Sequence, residues 1–264
     1  MSSLIVQKNL NAATSMLNKS IERMTTGYKI NHAADNAAGY SIATTWKTQL
    51  GSLDVASDNA STGADMLTTL EDTYSLITSH LQRVRDLTEQ AANGTYGSDS
   101  LKAIASEITA RLEEIDRISA NCEFNGLKMM DGSLTDDINL QVGLYSDAAS
   151  RIALDASLFQ NGHVSALFKT FGGVGGATVA EVAKLCSGYD GKQITGGQNE
   201  MLNKIDAVIS EISARTTTLG AAQNRIESAV ESINVQSENI TSSLSTLRDC
   251  LLYTSPSPRD AHES

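Results

Sequence analysis

Proline is almost absent from this chain. Of 264 residues only 2 are proline, and both, Pro256 and Pro258, lie close to the end. A proline inside a helix costs about 3 kcal/mol, because it removes a hydrogen bond and its ring clashes with the preceding turn. The absence of proline before Pro256 therefore permits very long uninterrupted helices.

Aromatic and basic residues are also scarce. Aromatic residues make up 5% of the chain, with a single Trp, which is unusual for a compact globular enzyme, although 41% hydrophobic residues can supply a core. The net charge is −11, whereas nucleic acids and anionic membrane surfaces require basic faces. We therefore expect no nucleic-acid partner and no membrane partner.

Long apolar runs are missing as well. No stretch approaches the roughly 18 apolar residues of a membrane-spanning helix, and the run at positions 4–6 is too short for the apolar part of a signal peptide. This pattern predicts a protein that is cytoplasmic, or exported without a cleaved signal peptide.

Residues for metal, redox or catalytic chemistry form no motif. The 3 cysteines, Cys122, Cys186 and Cys250, are far apart and make no CxxC pair, and they are expected to be buried or incidental thiols. No phosphate-binding loop or nucleophile-elbow motif is present. We expect no catalytic residue, no metal ligand and no cofactor, and an enzyme is the least favoured class.

The strongest positive signal is helical periodicity in the N-terminal half. Apolar residues recur at steps of three and four, as in a heptad seam. This predicted seam comprises Leu67, Leu70, Tyr74, Ile77, Leu81, Val84 and Leu87. Small residues continue the same face upstream, at Ala56, Ala60 and Ala64, and allow close approach. Asn93-Gly94 is predicted to end the helix, because both residue types tolerate left-handed backbone.

Further helices are predicted on both sides of this seam. An N-terminal helix carries Leu10, Leu17, Ile21 and Met24 on one face and ends at Gly27. Another is expected from position 35 to position 50. Downstream, Ser98-Asp99 is the expected N-cap of a helix with apolar residues at Leu101, Ile104, Ile108, Leu112 and Ile115. The connection of about five residues predicts antiparallel neighbours.

The C-terminal half contains the most regular pattern. Alternating steps of three and four predict a single helix of about 46 residues, about 69 Å long at 1.5 Å per residue. Its seam comprises Leu202, Ile205, Ile209, Ile212, Thr216, Leu219, Gln223, Ile226, Val230, Ile233, Ser237, Ile240, Leu244 and Leu247. A helix of this length is expected to pack against other helices as part of a rod.

The middle of the chain has a different character. Ile138, Leu140 and Val142 alternate with polar residues, as do Ile152 and Leu154 after a polar turn, which predicts a β-hairpin. Positions 155–200 are rich in glycine and have weak periodicity. We expect irregular or flexible surface structure there, with one short helix at about 179–184.

Motifs in both halves of the chain resemble those of bacterial flagellin. The residues that carry the resemblance lie at positions 21–27 (IERMTTG), 34–39 (ADNAAG), 81–87 (LQRVRDL), 107–112 (EITARL), 114–118 (EIDRI), 124–126 (FNG), 141–143 (QVG), 219–225 (LGAAQNR) and 247–249 (LRD). Together they cover about residues 2–154 and 200–249. The resemblance implies a short flagellin in which distant chain regions fold together and a small insertion projects outward.

The expected architecture is mainly α. It is an elongated antiparallel helical bundle, or coiled-coil rod, formed by the N- and C-terminal regions, with a small β-hairpin and a Gly-rich insertion. The expected regions are 1–134 (N-terminal helical region), 135–200 (hairpin and insertion), 201–249 (C-terminal helix) and 250–264, a tail that departs from the family pattern. Because the family has a further helix in place of that tail, we expect a truncated subunit that forms the rod but no stable filament alone.

The function implied by the resemblance is that of a non-catalytic subunit of the extracellular flagellar filament, which serves motility. A hook–filament junction protein and a non-polymerising helical adaptor remain alternatives. The implied partners are further copies of the chain, the flagellar export apparatus and its chaperone, and an animal innate-immune receptor of flagellin. By resemblance, a patch for the receptor and for contacts between subunits comprises Gln82, Arg83, Leu87, Glu107 and Arg111. The residues alone favour a different interpretation, a solvated helix face with i,i+4 pairs such as Arg85 with Glu89.

Overall fold

The computed structural model describes residues 2–168, 178–188 and 198–249. The diglycine pairs at 172–173 and 175–176 and the tail from Cys250 lie outside the described residues. Within the described ranges, no helix combines the length and the continuous apolar character of a bilayer span.

The chain folds as two compact units. The larger unit consists of Asp58–Val142 and Ser146–Val230, and the smaller unit consists of Met1–Ser57, Gly143–Tyr145 and Glu231–Ser264. Each unit therefore combines residues from the N-terminal half of the chain with residues from the C-terminal half. This pairing of distant segments agrees with the expected organisation.

Long helices dominate the described structure. In chain order they are α1 (Ser2–Thr26), α2 (Ala37–Ala92), α3 (Ser98–Asn121), α4 (Val164–Leu167), α5 (Val179–Ser187) and α6 (Gln198–Arg248). The 56 residues of α2 join the helix expected after position 35 to the helix of the predicted seam. The 51 residues of α6 confirm the long C-terminal helix and extend it at its N-terminal end.

Side chains and glycine set the boundary between α1 and α2. Gly27 follows α1 with φ +75°, a left-handed conformation that glycine adopts without strain, and its N–H donates to the carbonyl of Arg23 at 2.9 Å. Asn36 precedes α2, and its Oδ1 accepts from the N–H of Gly39 at 3.0 Å, as an N-cap does.

The start of α3 and the end of α2 lie where the sequence predicted them, but different residues and hydrogen bonds form these boundaries. The N-cap of α3 is Gly97 and makes no side-chain hydrogen bond, while Asp99 lies in the first turn, where its charge suits the helix dipole. At the end of α2 neither Asn93 nor Gly94 has positive φ. Instead, Oδ1 of Asn93 accepts from the N–H of Thr95 at 3.3 Å, an Asx turn that replaces the left-handed ending.

The core of the larger unit is formed by aliphatic faces of α2 and α3. Six residues of the α2 seam have no exposed surface: Leu67, Leu70, Tyr74, Ile77, Leu81 and Val84. The expected apolar positions of α3 are buried as well: Leu101, Ile104, Ile108, Leu112 and Ile115. Burial of each of these side chains stabilises the fold by roughly 1.5–3 kcal/mol, so this interior is the main source of stability in the unit.

Polar contacts fix the direction of α6 relative to α2. Arg85 Nε donates to Asp206 Oδ1 at 2.6 Å, near the end of α2 and the start of α6. Farther along, Gln223 Nε2 donates to Glu71 Oε2 at 2.9 Å. Residue numbers therefore fall along α2 as they rise along α6, and the two helices are antiparallel.

The buried face of α6 differs from the predicted seam. Every seventh residue is buried, at Ile205, Ile212, Leu219 and Ile226. Leu202 and Ile209, also expected in the seam, are only half-buried. Gln223 is half-buried too, and the residues that precede these three, Met201, Val208 and Ala222, are buried instead. The buried face is rotated and widened because α6 has a second neighbour, the loop in which Gln160 accepts from Arg215 at 2.7 Å.

Two short hairpins follow α3. The first, β1 (Glu123–Phe124) with β2 (Leu127–Lys128), turns at Asn125-Gly126, where both residues have positive φ, 49° and 81°. The second, β3 (Ile138–Gln141) with β4 (Arg151–Leu154), confirms the predicted hairpin. Only the second hairpin was expected, because the strands of the first have two residues each and carry no periodic signal.

The second hairpin packs on the small-residue stretch of α2. A methyl group at Gly63 would clash with Cδ1 of Leu140, so any larger residue here requires the Leu140 side chain to move. Nearby, Asn59 Nδ2 donates to the carbonyl of Gln141 at 3.2 Å. This part of α2 therefore has the second hairpin as a close neighbour.

The insertion is more ordered than its composition predicts. Leu158, Phe159, Val164, Leu167 and Phe168 are all buried, so the expectation of irregular surface structure is wrong for the described residues of this region. The predicted short helix is confirmed as α5, which packs against α3 and begins with a capping box. Glycine content did not predict this order, because the apolar residues on both sides of Gly162 supply the packing.

The smaller unit holds the segment after α1 against the end of α6. The N–H of Lys29 donates to the carbonyl of Arg248 at 2.6 Å, and Tyr28 forms an antiparallel bridge with Asp249. The guanidinium of Arg248 lies 4.1 Å from the centroid of the Tyr28 ring, a cation–π contact. We call this set of contacts the Tyr28–Arg248 clasp.

Asp35 stabilises the turn that leads into α2. Its Oδ1 lies 2.5 Å from Lys19 Nζ, and its Oδ2 accepts from the N–H groups of Asn31 and His32, each at 3.2 Å. The Lys19 bond and these backbone donors lower the pKa of Asp35 from 3.8 to about 2.

The glycine contact in the larger unit generates the first prediction. Gly63→Ala is expected to destabilise the chain by about 1–3 kcal/mol, because the new methyl displaces Leu140. The matched control is Gly220→Ala, since a methyl at Gly220 meets nothing within 4 Å; it should stabilise α6 by up to about 1 kcal/mol. Urea unfolding followed by circular dichroism measures both, and equal effects of the two changes would contradict the packing.

The second prediction concerns acid sensitivity. A carboxylate with a lowered folded-state pKa stabilises the fold above its unfolded pKa, and the contribution is lost as the pH falls through the folded pKa. Stability from Asp35 is therefore complete above about pH 4 and lost toward pH 2. Asp35→Asn should lower Tm at pH 7 and flatten its decline between pH 4 and pH 2, whereas Asp54→Asn, at an exposed position, should change neither. Parallel Tm–pH curves for the wild type and Asp35→Asn would refute the role.

Candidate self-association and recognition surface

The most unusual surface of the described structure is the apolar face of α1. Large hydrophobic side chains stand in solvent there, with exposed fractions of 66% for Leu10, 58% for Leu17, 53% for Ile21 and 68% for Met24. Leu4 continues the same exposure toward the N-terminus, at 73%. Single exposed apolar residues are common, but a continuous helical face of them indicates an interaction site.

A charged cluster lies where α2 and α3 face each other. Arg83 Nη2 is 2.9 Å from Glu107 Oε1, and Arg83 Nε donates to the same oxygen at 3.0 Å. Arg111 Nη2 approaches that oxygen at 3.9 Å. Gln82 is exposed as well, but it lines a groove with Ser213 and Thr216 of α6. Three of the five residues of the resemblance-based patch, Arg83, Glu107 and Arg111, therefore come together on the surface.

Leu87, the fifth residue, does not share that surface. Its side chain is only 2% exposed. It follows Val84 by three positions and so lies on the buried face of α2, as the apolar periodicity itself indicated. The charged patch, as the structure has it, consists of Arg83, Glu107 and Arg111, and Gln82 lies in the groove toward α6.

Arg85 is placed differently from the solvated pair that local spacing predicts. The expected i,i+4 contact with Glu89 is present, with Arg85 Nη1 3.2 Å from Glu89 Oε2. The same guanidinium also bonds Asp206 on α6. No local sequence pattern signals a partner so far along the chain, and the contact converts a surface arginine into a link between two helices.

His80 lies between the two helices near the charged cluster and was not anticipated. Its Nδ1 is buried without a hydrogen-bond partner among the described residues. Burial, followed by the positive charge of Arg111, lowers the pKa of His80. The imidazole is therefore neutral at neutral pH and adds no charge to the patch.

The arrangement offers little for covalent chemistry. Among the described residues, no group of three or more His, Cys, Asp or Glu side chains is placed to hold a metal ion. Burial raises the pKa of the Cys122 thiol, and raises that of Cys186 to about 12. Both thiols therefore remain protonated and are poor nucleophiles. The surfaces described above are suited to binding rather than to catalysis.

Comparison with protein families identifies both ends of the chain. Residues 1–135 match the model of the bacterial flagellin N-terminal helical region. Residues 202–257 match the model of the bacterial flagellin C-terminal helical region. The second hairpin and the insertion lie between the two matches, whereas the first hairpin lies within the N-terminal match.

Individual relatives agree with these matches. Flagellin FlaB1 of Treponema pallidum (strain Nichols) is 29% identical over 94% of this chain and 84% of its own length. Phase 1 flagellin of Salmonella naestved is 39% identical over 74% of this chain. The match covers 37% of the Salmonella protein, so this chain corresponds to little more than a third of that relative's length.

Solved structures share the fold. A putative flagellar hook-associated protein from Vibrio parahaemolyticus superposes with a TM-score of 0.68 at 12% identity, covering 81% of this chain and 100% of that one. The flagellin of Bacillus cereus gives a TM-score of 0.50 at 24% identity, covering 71% of this chain and 94% of that one. The N-terminal family model alone matches just over half of the sequence. The chain therefore belongs to the bacterial flagellin family, whose members are structural proteins of the flagellum and not enzymes.

Proposed function

We propose that this chain is a structural subunit that polymerises into the extracellular filament of the bacterial flagellum. The observation that carries the proposal is the exposed apolar face of α1. Burial of apolar surface contributes about 25 cal/mol per Å². A face of this kind is stable in water only when another surface covers it, and in a homopolymer that surface belongs to neighbouring subunits.

The geometry suits an open assembly. A contact between two different faces of identical subunits repeats without closing and generates a filament. The buried aliphatic interior of the larger unit gives that unit a single packed arrangement, which such a lattice requires. The net charge of −11 keeps separate subunits apart in solution until specific contacts outweigh the repulsion.

Two alternatives make different predictions. A hook–filament junction protein is favoured by fold likeness alone, as to the Vibrio protein at 12% identity, whereas the family models and the curated relatives are flagellins. A helical adaptor that never polymerises would leave the α1 face free to bind a different partner. Entry into a growing filament distinguishes both from the proposed function.

The same exposed face favours handling by an export chaperone. An apolar helix that is 53–73% exposed at its large side chains promotes unwanted association inside the cell. A chaperone of the flagellar export apparatus that covers α1 until the chain leaves the cell would prevent this. Receptor recognition is a separate proposal that rests on the Arg83–Glu107–Arg111 cluster.

The third prediction tests polymerisation through α1. Leu17→Asp is expected to lower the fraction of chain that adds to sheared flagellin filaments by about tenfold or more, because a charge replaces a buried side chain at the interface. Co-sedimentation and electron microscopy measure the fraction. Asn18→Asp introduces the same charge at the adjacent exposed position and should add normally.

Without filament seeds, the purified chain should remain a helix-rich monomer by sedimentation and circular dichroism. Failure of the wild type to add to seeds would reject the filament function. Normal addition of Leu17→Asp would reject the α1 face as its route.

The fourth prediction concerns the charged cluster. Arg83→Asp removes the ion pair with Glu107 and places two carboxylates together, so we expect weaker contacts between filament subunits and weaker activation of an animal flagellin receptor in reporter cells. Each readout should fall several-fold. Lys102→Asp, the same charge reversal at an exposed site on α3, serves as the control. Receptor activation equal to that of the wild type would reject the recognition role of this cluster.

A further inference from the structure

A small pocket in the smaller unit lies beside the Tyr28–Arg248 clasp. Its volume is about 220 Å³, enough for a small functional group of a ligand. Ile30 and Ala43, 4% and 6% exposed, form its apolar base. Lys47, Arg248 and Tyr40 supply polar atoms around it.

The pocket collects positive charge without a matching carboxylate. In the larger unit the arginines Arg83, Arg85 and Arg215 all pair with acidic side chains. By contrast, no ion pair in the described part of the chain involves Lys47 or Arg248. Two cations that share one pocket repel each other, and an anion between them relieves that repulsion.

Arg248 is positioned before any ligand arrives. Its carbonyl accepts from Lys29, and its guanidinium is stacked on the ring of Tyr28 at 4.1 Å. A guanidinium held by its face keeps its edge available for hydrogen bonds, and the edge matches the two oxygens of a carboxylate. The order already present reduces the entropy lost on binding.

We propose that this pocket is a binding site for a carboxylate group. The guanidinium of Arg248 contacts both oxygens, the ammonium of Lys47 neutralises the charge, and the phenol of Tyr40 is the third donor. An acidic side chain of a neighbouring subunit is the source that the composition favours, because the chain carries 31 Asp and Glu residues against 20 Lys and Arg. That choice of source, and not the site itself, rests on the proposed function.

The first experiment tests the site on the full-length monomer. Sodium acetate is titrated into 15N-labelled chain at constant ionic strength, and amide shifts are followed at positions 28–30 and 43–48. Lys47→Gln should weaken acetate binding about three- to tenfold. Lys102→Gln, the same charge loss at an exposed site in the other unit, should leave it unchanged.

Three results of this titration overturn the site. They are an absence of saturable shifts, an equal response to chloride, and equal affinities for the wild type and Lys47→Gln. Sodium sulfate is titrated in parallel, because binding of sulfate at least tenfold tighter than acetate would overturn the assignment to carboxylate. Arg248→Lys keeps the charge but loses the planar edge, so it should weaken acetate binding without changing the helix content.

The second experiment identifies the source of the carboxylate. Equal amounts of 14N and 15N chain are added to filament seeds, and carbodiimide then joins lysine amines to carboxylates in direct contact. Links from Lys47 to an acidic residue of a chain with the other isotope label, or of the seed protein, support the neighbouring subunit. Links confined to one chain, or none in a sample that has co-sedimented, overturn that source. Acetate binding by the monomer does not depend on assembly, so failure of the site and failure of polymerisation are separately visible.

Discussion

The antiparallel packing of α2 with α6 is the interaction on which the rest of the structure depends. It joins residues that are far apart in the sequence, so neither helix alone forms the core. The aliphatic seam of α2 supplies the buried surface, and the contacts of Arg85 with Asp206 and of Gln223 with Glu71 determine direction and alignment. Long helices gain most of their stability from such packing rather than from intrinsic propensity.

The same helical periodicity has opposite consequences in the two units. In the larger unit, apolar residues spaced by three and four are buried against other parts of the chain. In the smaller unit, α1 has a comparable face that the described residues leave in solvent. A chain that satisfies one face internally and leaves another exposed is folded as a monomer and is also ready for assembly. This contrast links the fold to the proposed filament.

The sequence predicted what depends on repeating patterns. The long helices, the second hairpin and the helix at α5 follow from periodicity and from turn residues. Sequence reasoning failed where a second neighbour altered a face, as at Leu202 and Ile209 of α6. It also failed at Leu87, where a resemblance suggested the surface and the spacing suggested the interior. Contacts such as Arg85 with Asp206 have no local signal, because they depend on how distant segments align.

The close approach at Gly63 has a consequence for how uniform the subunits are. A slip of the hairpin by one helical turn would bring Leu140 against positions of α2 that carry a Cβ, where the close approach made at Gly63 is blocked. The strand therefore has a single allowed position along the axis of α2. Every copy presents its hairpin at the same level, and a long polymer of such copies accumulates no drift in its repeat.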